Sequence, residues 1–257
     1  MSAPIRAGTF AGIDAVLFDL DGVLTPTAEV HMRAWSRLFT PYLEACGVEP
    51  YTDADYFAHI DGRPRYEGVR AMLAARGITL PEGDPSDPPE AETVCGLGNR
   101  KNAELTAVLE AEGVEPYPGS VRFTDALLGA GIAVAVVSSS KNAPAVLAAA
   151  GIADRFDVVV DGAVAADRHL AGKPQPDTFI HAAERLGVTV ARSAVVEDAL
   201  SGVQAGRAGD FGLVVGVDRG VGAERLREAG ADLVVTDLAD LLPDVETTDP
   251  DVNKEHG

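Results

Sequence analysis

The sequence predicts an α/β fold, a doubly wound parallel sheet with an all-helical domain inserted after its first strand. Three observations predict it. Short, almost wholly apolar runs recur along the chain, as strands buried on both faces require. Helical stretches alternate with those runs at the spacing of successive βα units. The segment after the first run breaks the alternation and repeats its apolar residues only at three- and four-residue intervals.

The first run, Ile13–Phe18, leads directly into Asp19-Leu20-Asp21-Gly22. Similar runs follow at Ile132–Val137, Val158–Val160, Ala194–Val196, Leu213–Val217 and Asp232–Val235. Helices are predicted over Asn142–Ala150, Pro176–Leu186, Leu200–Ala208 and Ala223–Ala229, most of them ending near a glycine. In the insertion, Val30, Ala34, Leu38 and Tyr42, with Trp35, Phe39 and Leu43, outline a first helix. Arg65–Arg76 and Asn102–Glu112 are further helices, and no strand is read between them. Hinges are expected near Pro26-Thr27 and Tyr117-Pro118-Gly119. Residues 1–27 and 116–257 then form one discontinuous core, and 28–115 the helical insertion. Glu82–Glu92, rich in Pro and Asp, reads as a surface loop, and the polar tail from Pro243 onward is expected to fray.

Composition narrows the function classes. The 257 residues carry 40 acidic side chains against 21 Lys and Arg, a net charge of -19. So acidic a surface disfavours nucleic acid and anionic membrane, and any phosphorylated ligand needs a local basic site or a bound cation. Cys46 and Cys95 lie outside any C-x-x-C spacing, so neither structural zinc nor a disulfide framework is indicated. Arg6 is followed by no apolar leader segment, and no run approaches the ~20 apolar residues that span a bilayer. The expectation is a cytoplasmic monomer.

In open α/β sheets ligands bind beyond the carboxyl ends of the strands. The first strand delivers Asp19 and Asp21, the second Ser138, Ser139, Ser140, Lys141 and Asn142. Lys173 follows the third in Gly172-Lys173-Pro174, and the fourth delivers Glu197-Asp198. Four carboxylates gathered so closely would raise one another's pKa values unless a hard divalent cation joined them, and oxygen-only ligands suit Mg²⁺. Lys173 supplies a fixed positive charge and Ser138 a hydroxyl donor for phosphate oxygens. The set suits phosphoryl transfer, with Asp19 as covalent nucleophile and Asp21 as the proton carrier two residues on.

Each feature has a plainer reading. Asp-x-Asp pairs often cap helices or turn loops, Ser138–Ser140 and Glu197-Asp198 suit helix N-caps, and Lys173 suits a solvated loop. The stretch from Asp19 is not an EF-hand loop, which wants an acid at position 23 and glycine at 24 where Val23 and Leu24 stand. The four together, in this order and each after an apolar run, point to one site.

The stretches VLFDLDGVLTPT, VVSSSKN, GKPQPDTF and VVEDALSGVQAG resemble, in order, the four motifs of the haloacid dehalogenase superfamily, subfamily I. The resemblance runs from about residue 13 to residue 218. It implies a Rossmann-like core whose helical insertion is a mobile cap. It also implies Mg²⁺ held by Asp19, the Asp21 carbonyl and Asp198, with Glu197 alongside. On the cap side the chain is similar to members of that family that isomerise hexose phosphates. This similarity implies substrate contacts from Thr27, His31, Trp35, Gly62, Arg65 and Lys101, and from Ser139, Ser140, Lys141 and Asn142 of the core, with Arg65 on the non-transferring phosphate. Taken alone, His31 and Trp35 could be ordinary core residues, and Arg65 and Lys101 surface cations. Pro26 replaces an acidic residue, Asp61 stands where a lysine is expected with Arg63 two residues on, and the Glu82–Glu92 loop is longer than in the simplest members. These departures bear on substrate preference, not on the phosphoryl chemistry.

The expected function is interconversion of β-glucose 1-phosphate and glucose 6-phosphate through a bisphosphate intermediate. The alternative is a sugar-phosphate phosphatase of the same family. A non-catalytic binding protein on the same fold is a third and weaker reading.

Overall fold

The computed structural model describes residues 8–242; Arg6 and the tail from Pro243 onward lie outside the described residues. Six strands form one all-parallel sheet: β1 (Ala15–Phe18), β2 (Ala133–Val137), β3 (Val158–Val160), β4 (Ser193–Glu197), β5 (Leu213–Val217) and β6 (Leu233–Val235). Their order is β3-β2-β1-β4-β5-β6, so β1 occupies the point where the winding reverses. All four residues of β1 are fully buried, which is why its sequence is apolar without alternation. Its side chains still alternate between faces: Val16 and Phe18 join one core cluster, Leu17 the other.

Helices cover both faces. Phe123 and Leu127 of α5 (Pro118–Gly129) and Val146 and Leu147 of α6 (Ala143–Ala149) pack on the first. Phe179 and Ala182 of α8 (Asp177–Leu186), Val203 of α9 (Leu200–Ala208) and Leu226 of α10 (Ala223–Ala229) pack on the second. A short helix, α7 (Gly162–Asp167), follows β3, and the Asp161 side chain caps it by accepting from Ala163 and Val164.

Between β1 and α5 the chain is helical, as expected: α1 (Thr27–Cys46), α2 (Asp53–Asp55) running into a π-helical turn (Tyr56–Ile60), α3 (Arg65–Ala75) and α4 (Val94–Glu112). This segment has an apolar cluster of its own, built from Trp35, Leu38, Phe39 and Leu43 of α1 against Val69, Met72, Val94 and Leu97. The Glu82–Glu92 stretch is irregular, as its Pro and Asp content predicts.

The expected strands match to within two residues at either end. The helices differ more. The Tyr117-Pro118-Gly119 hinge signal is also the start of α5, with Pro118 in the first turn, where its missing N–H costs nothing. Helix α4 begins at Val94, not Asn102, because Thr93 caps it by accepting from the Gly96 N–H at 2.9 Å. Gly96 and Gly98 dilute the helical pattern there. The turn over Asp53–Ile60 carries no clear periodicity and was not expected.

Phe123 is fully buried, edge-on to Phe18 at 6.1 Å between ring centres and 5.4 Å from Phe10. Phe123→Ala is expected to lower the unfolding free energy by about 3–5 kcal/mol, read from the urea midpoint at unchanged slope. A loss below ~1 kcal/mol would mean that this face of the sheet is not the packed core described.

Candidate active site

Strand register builds the site. Phe18 pairs with Val136 on one side and Val196 on the other, so the residues just beyond these strands emerge side by side. Asp19 N–H donates to the Val196 carbonyl at 2.9 Å, and Ser138 N–H to that of Val160 at 3.0 Å. The Lys173 ammonium lies beneath Asp19, 2.5 Å from its Oδ1 and 2.7 Å from Glu197 Oε1, and donates to the Val137 carbonyl at 3.1 Å. Burial alone would depress the Lys173 pKa, but the Asp19 and Glu197 charges outweigh it and the net shift is upward.

Oxygen atoms of Asp19, Glu197 and Asp198 all lie within 4.8 Å of one another. Burial pushes the Asp19 carboxyl well above the carboxylate range; Lys173 opposes that, while Glu197 and Asp21 add to it. Asp198 is raised in the same way, by burial and then by Glu197, Asp61, Asp19 and Asp21. A group of buried oxygen donors with negative charge to spare beside one lysine fits a hard divalent cation. Gly22 leaves room for the Asp198 carboxylate: at φ +85° a side chain there would put its Cβ 1.9 Å from Asp198 Oδ2.

The Asp21 side chain is directed elsewhere, toward the insertion. Thr27 donates a short hydrogen bond to its Oδ1, and His31 Nε2 lies 3.6 Å from the same oxygen. Thr25 and Thr27 share a hydrogen bond of 2.7 Å. His31 Nδ1 is 3.0 Å from Lys101 Nζ, which also sits 5.2 Å from the centre of the Trp35 ring. Burial holds Lys101 down to about 7, with Arg65 adding to the effect and Asp21 opposing it. Burial and then the Lys101 charge hold His31 down to about 4.

The insertion closes onto the core through main-chain and amide contacts. Ser139 Oγ donates to the Gly62 carbonyl at 2.9 Å, and Asn142 Nδ2 to Asn102 Oδ1 at 2.7 Å. Ser140 Oγ accepts from the Asn142 N–H at 3.2 Å. The result is one cavity of about 390 Å³. It is lined by Asp19, Asp21, Ser138, Glu197 and Asp198, by Arg65, Ser140, Lys141 and Asn142, and by His31, Trp35, Gly62, Lys101 and Ser139. Thr27 and Lys173 do not line it. Thr27 is 1% exposed and acts on Asp21 from behind, and Lys173 is 3% exposed beneath Asp19.

Some neighbours were not predicted. Asp61, noted only as a departure from pattern, is a further carboxylate on this cavity, pushed up to about 7 by burial and then by Glu197. The Ser201 hydroxyl donates to its carbonyl at 3.4 Å. Arg219, just past β5, donates to the Gly22 carbonyl at 2.8 Å and to that of Thr236 at 2.8 Å. Its guanidinium stacks 3.9 Å from the Tyr117 ring centre. Arg219 thus ties the Asp21 loop to the second crossing between core and insertion. The strand-end rule, extended to β5, would have found it; no sequence signal marks Ser201.

The model of the haloacid dehalogenase-like hydrolases matches residues 13–210. The beta-phosphoglucomutase of Mycobacterium bovis is 52% identical over 241 residues, 90% of this chain and 92% of its own length. A crystal structure of beta-phosphoglucomutase from Clostridium difficile superposes with a TM-score of 0.73 at 27% identity, over 89% of this chain and 93% of that one. A mutant of CbbY from Rhodobacter sphaeroides, solved in complex with xylulose-(1,5)bisphosphate, superposes with a TM-score of 0.67 at 25% identity, over 89% and 96%. Among the described residues no helix is long and apolar enough to cross a membrane.

Lys101 provides a pH test of this geometry. The unfolded chain keeps this proton up to its ordinary 10.5, the folded protein only up to about 7. Between those values the unfolded state binds more protons, so the Lys101 contribution is fully present above the upper value and is lost as pH falls through the lower one. From about pH 7 to about pH 10, wild-type melting temperature is expected to gain on that of Lys101→Met. A difference independent of pH would show that Lys101 is not buried as described.

Proposed function

Because the chain belongs to the haloacid dehalogenase-like hydrolase family, we propose that it is a β-phosphoglucomutase, interconverting β-glucose 1-phosphate and glucose 6-phosphate through an aspartyl phosphate. The observation that carries this reading is a cavity lined by two sets of phosphate-binding groups. Asp19, Ser138 and the acidic cluster form one set, Arg65, Lys141 and Asn142 the other, and His31, Trp35 and Lys101 of the insertion share the lining. A substrate with two phosphates suits such a site, whereas hydrolysis of a single ester has less use for the second set. The 52% identical mycobacterial relative supports the same choice.

In this reading residues 28–115 act as a mobile cap on a core of 1–27 and 116–257. Lys173 holds one oxygen of Asp19 and leaves the other to attack phosphorus. Ser138 donates to a phosphate oxygen, and Lys173 balances charge from beneath. Asp21 gives its proton to the departing sugar oxygen and takes one from the sugar hydroxyl that later attacks Asp19-bound phosphate. Thr27, where α1 begins, holds Asp21, and His31 of the cap faces it, so the surroundings of Asp21 depend on the cap being closed. Closure excludes water, which directs the phosphoryl group to a sugar hydroxyl. Asp19, Asp198 and the Asp21 carbonyl, with Glu197 alongside, would hold Mg²⁺, which when bound supplies positive charge toward the phosphate oxygens.

The test is β-glucose 1-phosphate with a trace of glucose bisphosphate and Mg²⁺, scored for both products in one tube. Glucose 6-phosphate is expected to form much faster than inorganic phosphate. Near-equal release of phosphate would contradict the mutase reading and leave a phosphatase.

A further inference from the structure

Arg65 opens α3 and lines the cavity, with its guanidinium carbon 5.5 Å from the Tyr66 ring centre. Among the described residues no carboxylate pairs with it, and burial lowers its pKa. Its hydrogen-bond partner is neutral: Nη1 donates to Asn99 Oδ1 at 3.3 Å. The same oxygen accepts from the Tyr66 hydroxyl at 3.0 Å.

The other half of the Asn99 amide is committed to the loop before α4. Nδ2 donates to the carbonyls of Pro85 at 3.0 Å and Asp87 at 2.9 Å. A primary amide has two N–H donors and one carbonyl acceptor. With both donors taken by loop carbonyls, the oxygen must face Arg65; turning the amide over would break every one of these bonds at once. The loop is itself held in place. Val94 and Cys95 N–H donate to the Pro81 and Glu82 carbonyls at 3.0 Å each, and Thr93 Oγ1 donates to Asp87 Oδ2 at 2.6 Å. On α4, a Cβ at position 98 would lie 2.6 Å from the Tyr66 ring, so Gly98 is what lets that ring lie on the helix.

We infer that Asn99 is a positioning residue for distal phosphate recognition. The loop over 81–93 orients the Asn99 amide, and the amide aims the Arg65 guanidinium into the cavity. Because the aiming group is neutral, the positive charge of Arg65 stays available to an anion; an aspartate in its place would hold the arginine and neutralise it. The inserted loop, whose Pro85 also lines the cavity, is thereby part of substrate recognition. This inference rests on the reading of Arg65 as the clamp for a second phosphate.

The experiment compares kcat/KM for β-glucose 1-phosphate with kcat/KM for a small aryl phosphate that has no second phosphate. Asn99→Asp is expected to lower the ratio of the two by about tenfold or more, the scale of one charge-assisted hydrogen bond between Arg65 and the phosphate given up to the new carboxylate, with the change in KM for the sugar phosphate. Asn99→Ser, which keeps a neutral oxygen but gives up the loop donors, is expected to lower the ratio less, and it serves if Asn99→Asp does not fold. Arg65→Ala is the reference. If Arg65→Ala lowers the ratio and neither Asn99 variant does, the role of Asn99 is overturned while the clamp stands. If Arg65→Ala leaves the ratio unchanged, the clamp reading fails and the inference falls with it.

Discussion

Carboxylates buried at the tips of adjacent strands cannot all stay ionised beside one lysine. That constraint organises the rest of the molecule. Asp19 follows β1 and Glu197 ends β4, and the parallel register leaves them no choice but to emerge together. Lys173 bridges them at 2.5 and 2.7 Å and is itself buried, so its charge is unscreened where it acts. One lysine does not balance Asp19, Glu197 and Asp198, and burial raises the first and last of these in consequence. The surplus negative charge is the physical reason the site suits a divalent cation, and such a cation would make a phosphate welcome on a chain of net charge -19.

The second constraint is mechanical. Asp21 stands two residues from Asp19 but takes its side-chain partners from α1, through Thr27 and His31. From the other side, Arg219 grips the Gly22 carbonyl and stacks on Tyr117. The loop that carries Asp21 therefore touches both crossings between core and insertion. The insertion and the Asp21 side chain are linked through contacts of a few ångströms, without a long-range relay. The Lys101–His31 pair extends this link into the cavity wall, where burial keeps His31 neutral and places Lys101 near its titration point at neutral pH.

Much of this was legible in the sequence because both-face burial forces unbroken apolar strands, and strand ends in such sheets are where ligands bind. Asp19, Ser138 and Glu197 could be placed together from these two facts alone. Lys173, two residues past no strand but inside a loop, needed its company to be noticed. Helix α5 was hidden because Pro118 and Gly119 speak for a turn, although proline suits a first helical turn equally well. The first half of α4 was hidden by Gly96 and Gly98, whose reason is tertiary: a residue with a Cβ at 98 would collide with Tyr66. That Thr27 lies behind Asp21 instead of on the cavity wall, that Asp61 adds a further carboxylate, and that Asn99 faces Arg65 are all facts of juxtaposition. Local pattern carries no trace of them.

The covalent step is the centre of the account. The direct measurement is to quench the protein during turnover with a sugar bisphosphate and Mg²⁺, digest it, and locate the phosphoryl group by mass spectrometry. The account places it on the carboxyl of residue 19, with Asp19→Asn carrying none. Phosphate found on Ser138, on a histidine or on no residue at all during rapid turnover would contradict it.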